Sequence, residues 1–161
     1  MRQWSEVNWQ KIIKVIGLLL LLEGTAMWLS LPFSAYYGGS DFRAILGSGI
    51  ITLLAGGIMV FFTRRNQNPS IGKREGYIIV SVTWIVISFF GAIPFVISGA
   101  IPNYTDAFFE TISGFTTTGA SILNDIESVP KGILFWRSMT HFIGGMGIIV
   151  LSLAILPILG I

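Results

Sequence analysis

The sequence predicts an all-α polytopic membrane protein: a two-helix N-terminal hairpin, then a unit of long outer helix, half-length re-entrant helix with an irregular loop, and long inner helix. Three observations carry this. Of the 161 residues 53% are hydrophobic and 11% charged, whereas about a quarter of a soluble domain is charged, and the mean hydropathy is +0.77. The charges cluster between apolar runs, each near the roughly 20 residues a helix needs to cross a bilayer. One further stretch, Pro102 to Pro130, is too polar to span, yet its middle from Ala107 to Ile112 is apolar and aromatic enough to be buried. A soluble enzyme, a disordered tail and a nucleic-acid binder fit poorly, because the basic residues flank apolar runs and no basic stretch is interleaved with aromatics. The absence of cysteine excludes disulfides and thiolate chemistry.

The first span runs from Ile12 to Leu31. It continues through Glu23 and Trp28 without a clean small-residue cleavage site, so it reads as an anchor and not a signal peptide. Ala44 to Phe62, Tyr77 to Ile97 and Gly132 to Leu159 are the other three, each long enough at 1.5 Å per residue to cross about 30 Å. Residues 1–76 thus form the hairpin with its basic loop. Residues 77–161 form the second unit, with an outer helix 77–97, a short helix 105–113, a loop 116–121 and an inner helix 132–159.

Seven of the ten Lys and Arg fall on one side, Arg2, Lys11 and Lys14 with Arg64, Arg65, Lys73 and Arg74; Arg43, Lys131 and Arg137 fall on the other. Cytoplasmic loops carry the excess, which places both termini in the cytoplasm and residues 102–130 outside. Trp4, Trp9, Trp28, Tyr36, Tyr37, Tyr77, Tyr104 and Trp136 mostly lie near helix ends, at headgroup level, while Trp84 lies inside a span. Gly47, Gly49, Gly56 and Gly57, and Gly144, Gly145 and Gly147, offer small faces through which helices pack against partners in lipid.

Thr105 can cap the short helix, Asp106 suits its first turn, and Gly114 stops it. Its C-terminal carbonyls then place partial negative charge toward the membrane interior, which suits a cation. Irregular backbone at that depth is tolerated only inside protein or along a water-filled path. The run Phe115 to Ser121 contains no carboxylate, so a Ca²⁺ or Zn²⁺ ligand cluster is not offered. Stacked carbonyls could replace the hydration shell of a monovalent cation, with Gly119 free to turn its own into the lumen. A Thr/Ser-rich external turn closing a helical hairpin fits the composition equally.

The run Phe108-Phe109-Glu110-Thr111-Ile112-Ser113-Gly114-Phe115-Thr116-Thr117-Thr118-Gly119-Ala120-Ser121, followed by Phe135-Trp136-Arg137-Ser138-Met139-Thr140-His141-Phe142-Ile143-Gly144-Gly145-Met146-Gly147-Ile148, resembles the first pore repeat of the membrane subunit of Trk/Ktr-type bacterial potassium uptake systems, closest to the Trk branch. The N-terminal hairpin resembles that branch's additional two-helix segment. The family arranges four repeats of outer helix, pore helix, filter loop and inner helix around one pore. The resemblance implies a backbone filter at Thr116, Thr117, Thr118, Gly119 and Ala120, with K⁺ at Thr117, Thr118 and Gly119, and with Glu110 and Ser121 in support. Thr117 to Ala120 then stand where the potassium-channel Thr-Val-Gly-Tyr-Gly loop has its first four residues, and Ser121 where it has its last. The departures at Thr118, Ala120 and Ser121 imply looser selectivity.

Glu110 supports the loop electrostatically or faces external water. Glu23, inside the first span, is expected to be protonated or hydrogen bonded near Thr25 or another helix. His141 is expected at a hydrogen-bonded interface, and Arg137 as an external anchor paired with Asp125 or Glu127. Ser113, His141 and Asp106 have no spacing that assembles a hydrolase, so no enzyme and no cofactor are expected. The expected activity is passive, gated uptake of K⁺, with Na⁺ a second candidate, across the bacterial inner membrane; the rival is a non-conducting scaffold or inactive fragment. One repeat cannot surround an ion, so the partners are the remaining repeats, in a longer chain or a homotetramer. The ending at Pro157 and Gly160 without a polar tail reads as the longer chain cut short. Membrane lipid and, by resemblance, a cytoplasmic nucleotide-binding ring complete the partners; no nucleic acid is expected.

Overall fold

In the computed structural model, which describes residues 8–64 and 73–159 and the side chains of 8–64 and 75–149, the described residues form α-helices and no strand. In chain order these are α1 (Trp9–Trp28), α2 (Leu31–Tyr36), α3 (Phe42–Thr63), α4 (Lys73–Gly91), α5 (Ile93–Ile97), α6 (Tyr104–Phe115) and α7 (Lys131–Leu159). Three stretches, Trp9–Tyr36, Phe42–Thr63 and Glu75–Ile97, are long and apolar enough to cross a membrane, and α7 has 29 residues. Arg2, Trp4, Arg65 and Gly160 lie outside the described residues, as do the side chains of Lys73, Arg74 and Pro157, so the charge asymmetry is followed here only through the remaining basic residues.

α1 and α3 pack through glycines. A Cβ on Gly56 would stand 2.7 Å from the Gly17 carbonyl oxygen, and one on Gly17 would stand 3.0 Å from that of Gly56, so the two backbones meet directly. Gly49, against Trp28, is likewise spent within the chain, where a partner had been expected. Gly47 and Gly57 face open space. Leu18, Leu22, Leu54 and Ile58 are exposed on the outer faces of the pair, as suits helices solvated by lipid.

The third expected span is divided, α4 ending at Gly91 and α5 starting at Ile93. Pro94 is the reason: it has no N–H to give the Phe90 carbonyl, and its ring crowds that carbonyl. Phe95 N instead reaches back to Ala92 O at 3.2 Å. The carbonyls freed at the break find side-chain donors, Tyr104 Oη to Phe89 O at 2.7 Å and Trp136 Nε1 to Gly91 O at 2.9 Å. The break thereby anchors α6 and α7. Phe95, Phe115, Ile133 and Trp136, all buried, fill the core between these helices.

Carboxylates tie the hairpin to the rest of the chain at both ends. Asn8 N donates to Glu75 Oε1 at 3.0 Å, which places a carboxylate of α4 at the positive N-terminal end of α1. At the opposite end, Asp41 is buried. It accepts from Ser34 Oγ through Oδ1 and from Ile133 N through Oδ2 at 2.8 Å, 92 residues along the chain. Pro130, just before α7, has no side-chain acceptor, so Asp41 caps α7 from the hairpin. Asp41→Ala should therefore lower stability by about 2 kcal/mol, the loss of a charged helix cap plus a stranded hydroxyl. Ser34→Ala should cost about half as much; thermal unfolding of the purified protein checks both.

Candidate functional site

The cap of α6 lies two residues earlier than the sequence suggests. Asn103, extended at φ −82° and ψ 123°, is the N-cap, its side chain accepting from Thr105 N at 3.0 Å, and Asp106 stands in the first turn. Thr105 is thus inside the helix. The helix also passes through Gly114 to Phe115. Gly114 is a contact glycine, because a Cβ there would run into the Thr140 side chain of α7.

What ends α6 is the loop itself. Thr117 N donates to Gly114 O and Thr118 N to Ser113 O, both at 3.0 Å, the paired bonds of a Schellman close. Thr117 holds the left-handed position of that close, at φ 55°, where glycine is the usual residue. A β-branched side chain there costs about 1–2 kcal/mol, a strain that persists only when the surroundings over-determine the conformation. Gly119 follows at φ 78°, so two left-handed residues bracket Thr118 and the stretch does not run as a strand.

Hydroxyls engage the flanks of this loop. Thr116 Oγ1 donates to Ile112 O at 2.7 Å and lies 2.8 Å from Thr118 Oγ1. Thr117 Oγ1 donates to Thr116 O at 2.7 Å, and Ser113 Oγ, from inside α6, to Ala120 O at 2.6 Å. Residues 116–122 are all exposed in this chain. Among the described residues the carbonyls of Thr117, Thr118 and Gly119 accept no hydrogen bond. The five carbonyls expected to act alike therefore divide: Thr116 and Ala120 are each held by a hydroxyl, and the three between them are unspent.

Glu110 positions the loop. It is 1% exposed, and it accepts from Ser121 Oγ at 3.1 Å to both oxygens, from Ile122 N at 2.9 Å and from Arg137 Nε at 2.6 Å. It does not face external water. Arg137 correspondingly does not pair with Asp125 or Glu127. Those acids are exposed, and Asp125 Oδ1 accepts Glu127 N at 3.1 Å within their own turn. A solvated carboxylate offers an arginine little, whereas a buried one requires it.

α7 closes on α6 at Gly144, where any Cβ would overlap the backbone of Phe115. Gly144, expected to offer a small face for helix packing, is used against α6 of this chain, while a Cβ on Gly145 or Gly147 would make only an ordinary contact with Thr117 or Trp84. Phe115 packs between Trp84 and Trp136, at ring-centroid distances of 6.5 and 6.4 Å, which gives the mid-span Trp84 its role. His141 Nδ1 lies 3.0 Å from Arg137 O of its own helix, and its Cε1 stands 3.4 Å from where a Cβ on Gly114 would be, at the contact of α6 with α7. With the Ser113 hydroxyl committed to Ala120 O, no serine–histidine pair forms, and no group of three potential metal ligands exists among the described residues. The sequence reading weighed Ser113 only as a hydrolase candidate and passed over Asp41. Ser113 carried a usable signal, its place one turn from Glu110 on the same helix; Asp41 carried none, since its partner is 92 residues away.

Removing Arg137 should strand a buried carboxylate. Arg137→Ala is expected to cost about 3 kcal/mol, and adding Glu110→Gln to it should recover part of that loss, as measured by thermal unfolding of the single and double variants.

The fold and the site define an all-helical membrane protein in which a half-length helix and its loop are held against longer helices. Residues 42–161 match the family model described as TrkH, cation transport protein. The chain is 42% identical over 158 residues to the Trk system potassium uptake protein TrkH of Salmonella typhimurium, covering 96% of this chain and 32% of that protein. It is 33% identical over 151 residues to the Trk system potassium uptake protein TrkG of Escherichia coli, covering 93% and 31%. The crystal structure of the potassium transporter TrkH from Vibrio parahaemolyticus matches with a TM-score of 0.87 at 37% identity, over 96% of this chain and 33% of that one. The chain spans about a third of the length of the curated relatives it matches. It belongs to the TrkH family of cation transport proteins.

Proposed function

We propose that this chain supplies one wall of a gated, passive pathway for K⁺ uptake, with Na⁺ a second candidate ion. The observation that carries the reading is the row of unspent, exposed carbonyls at Thr117, Thr118 and Gly119, lying where α6 ends and braced from behind by Glu110 through Ser121 and Ile122. A weakly hydrated monovalent cation exchanges its water for such oxygens, and the C-terminal end of α6 adds partial negative charge beside them. Thr116 and Ala120 frame the row, their carbonyls turned to hydroxyls.

One loop cannot surround an ion, so the pathway is completed by further pore repeats, in the same longer chain or in three more copies. That relatives named as potassium uptake proteins are about three times as long supports the first arrangement. A cytoplasmic nucleotide-binding ring is the gating partner by family resemblance. The excess of Lys and Arg favours both termini in the cytoplasm of a bacterium with residues 102–130 outside, so that the ions enter past the loop; no cofactor and no covalent chemistry are needed.

Gly119→Ala separates filter from scaffold. A Cβ at Gly119 meets nothing within 4 Å, so the substitution acts through the left-handed φ alone and should leave insertion intact. Preference for K⁺ over Na⁺ should fall about tenfold, the equivalent of roughly one carbonyl contact, in ion-uptake assays on cells lacking other potassium uptake. Unchanged preference in a protein that still conducts would end the filter reading. For topology, Asn124→Cys should react with a membrane-impermeant thiol reagent from outside only.

A further inference from the structure

Four acids are buried among the described residues: Glu23, Asp41, Glu75 and Glu110. Three have donors or cations, as described above. Glu23 has neither: it is 3% exposed and both carboxyl oxygens lack a hydrogen-bond partner. The expected link to Thr25 does not form, because Thr25 Oγ1 turns back to Leu21 O and Leu22 O of its own helix.

The carboxyl occupies the notch left by Gly91 at the end of α4. A Cβ on Gly91 would stand 2.8 Å from Glu23 Oε1, 2.8 Å from Thr111 Cγ2 and 3.1 Å from Phe115 Cε2. Glu23 therefore lies where α1, α4 and α6 meet, behind the last turn of α6. Ser88, one turn before Gly91, is fully buried with an unpartnered hydroxyl.

Among the described side chains, no cation on the surrounding elements is available. The described ion pairs are Lys11–Glu75 and Arg137–Glu110. On α1, Lys11 and Lys14 are more than two turns away; on α4, Glu75 is at the far end. On α3, Arg43 and Arg64 are at the two ends. On α6, Asp106 is in the first turn and Glu110 is committed elsewhere, and on α7, which packs on α6, Arg137 is taken and His141 bonds the Arg137 carbonyl. An unpaired charge in such a setting costs several kcal/mol, so something of charge +1 must neutralise the group. An alkali cation requires a shell of several oxygens, whereas beside the carboxyl stand a methyl group, an aromatic edge, a glycine whose carbonyl is already bonded to Trp136 and, one turn away, the single hydroxyl of Ser88. A proton requires only the carboxylate.

We propose that Glu23 is a buried proton-binding site, and that the neutral carboxyl seats the N-terminal hairpin against the back of α6. Loss of the proton would place a negative charge against Thr111 and Phe115, immediately before the loop at 116–119, so proton occupancy and the position of that loop are linked. This holds whichever ion the loop serves.

Infrared spectroscopy of the purified protein in lipid nanodiscs tests it. At neutral pH the wild-type protein should show a protonated-carboxyl stretch that shifts when glutamate is isotope-labelled, and Glu23→Gln, a neutral isostere, should remove the band while leaving the melting temperature nearly unchanged. Absence of the band in the labelled wild-type protein overturns the proposal, as does a band that persists in the Gln variant. A wild-type melting temperature that rises with Na⁺ or K⁺ at fixed pH, in a way the Gln variant loses, also overturns it by showing an alkali cation in the notch. If the Gln variant does not fold, Glu23→Asp, which keeps the carboxyl one methylene shorter, decides: with aspartate labelled instead of glutamate it should move the isotope shift to the aspartate-labelled sample, and a band that still shifts only with labelled glutamate overturns the proposal.

Discussion

A carboxylate removed from water must be neutralised and its lone pairs must be filled, and Glu110 meets both requirements with groups from two other parts of the chain. Arg137 of α7 supplies the charge, and Ser121 and Ile122, beyond the loop, supply the remaining donors. The demand is set by burial of the carboxylate, and its consequence is geometric: the end of the loop is pinned to the middle of α6 while the beginning of the loop continues α6 directly. A segment held at both ends in this way can keep a strained residue such as Thr117 in the left-handed region. Its exposed carbonyls then keep one arrangement without partners of their own.

The same logic recurs at larger separation. Glu75 sits at the N-terminus of α1 and Asp41 at the N-terminus of α7, each a charge placed where a helix dipole and free N–H groups favour it. Because these caps come from other elements, the hairpin is docked by specific charged contacts at its two ends, and between them by the direct backbone crossing at Gly17 and Gly56. The break at Pro94 works in the complementary sense. It releases acceptors that Tyr104 and Trp136 fill, and thereby fixes where α6 and α7 stand relative to α4.

The loop shows how donor supply selects among identical backbone groups. Three threonines and a serine around it could each hydrogen bond a carbonyl, yet Thr116, Thr117 and Ser113 turn to Ile112, Thr116 and Ala120, and Thr118 pairs with the Thr116 hydroxyl. Thr117, Thr118 and Gly119 are passed over. Short hydroxyl side chains reach only their near neighbours, so placing Thr at 116 and 117 and Ser at 113 closes the flanks and leaves the centre open.

Span existence, the half-length helix and the irregular loop were legible in the residues, because apolar run length and the clash of polar with aromatic residues in 102–130 are local properties. Resemblance added the expectation that this loop is a filter and that Glu110 supports it. Boundaries were less legible: the cap at Asn103 and the continuation through Gly114 depend on where the chain is already extended and on Thr140 pressing against the helix. The break at Ala92 could have been read from Pro94 alone and was not. Tertiary structure alone decided which acid holds Arg137, which carbonyls stay unspent, that Asp41 caps a helix 92 residues away, and that Glu23 is buried with no hydrogen-bond partner beside Gly91. Each of these is a pairing between charges or lone pairs brought together by packing, and linear spacing carries no information about which of several suitable partners will be buried beside which.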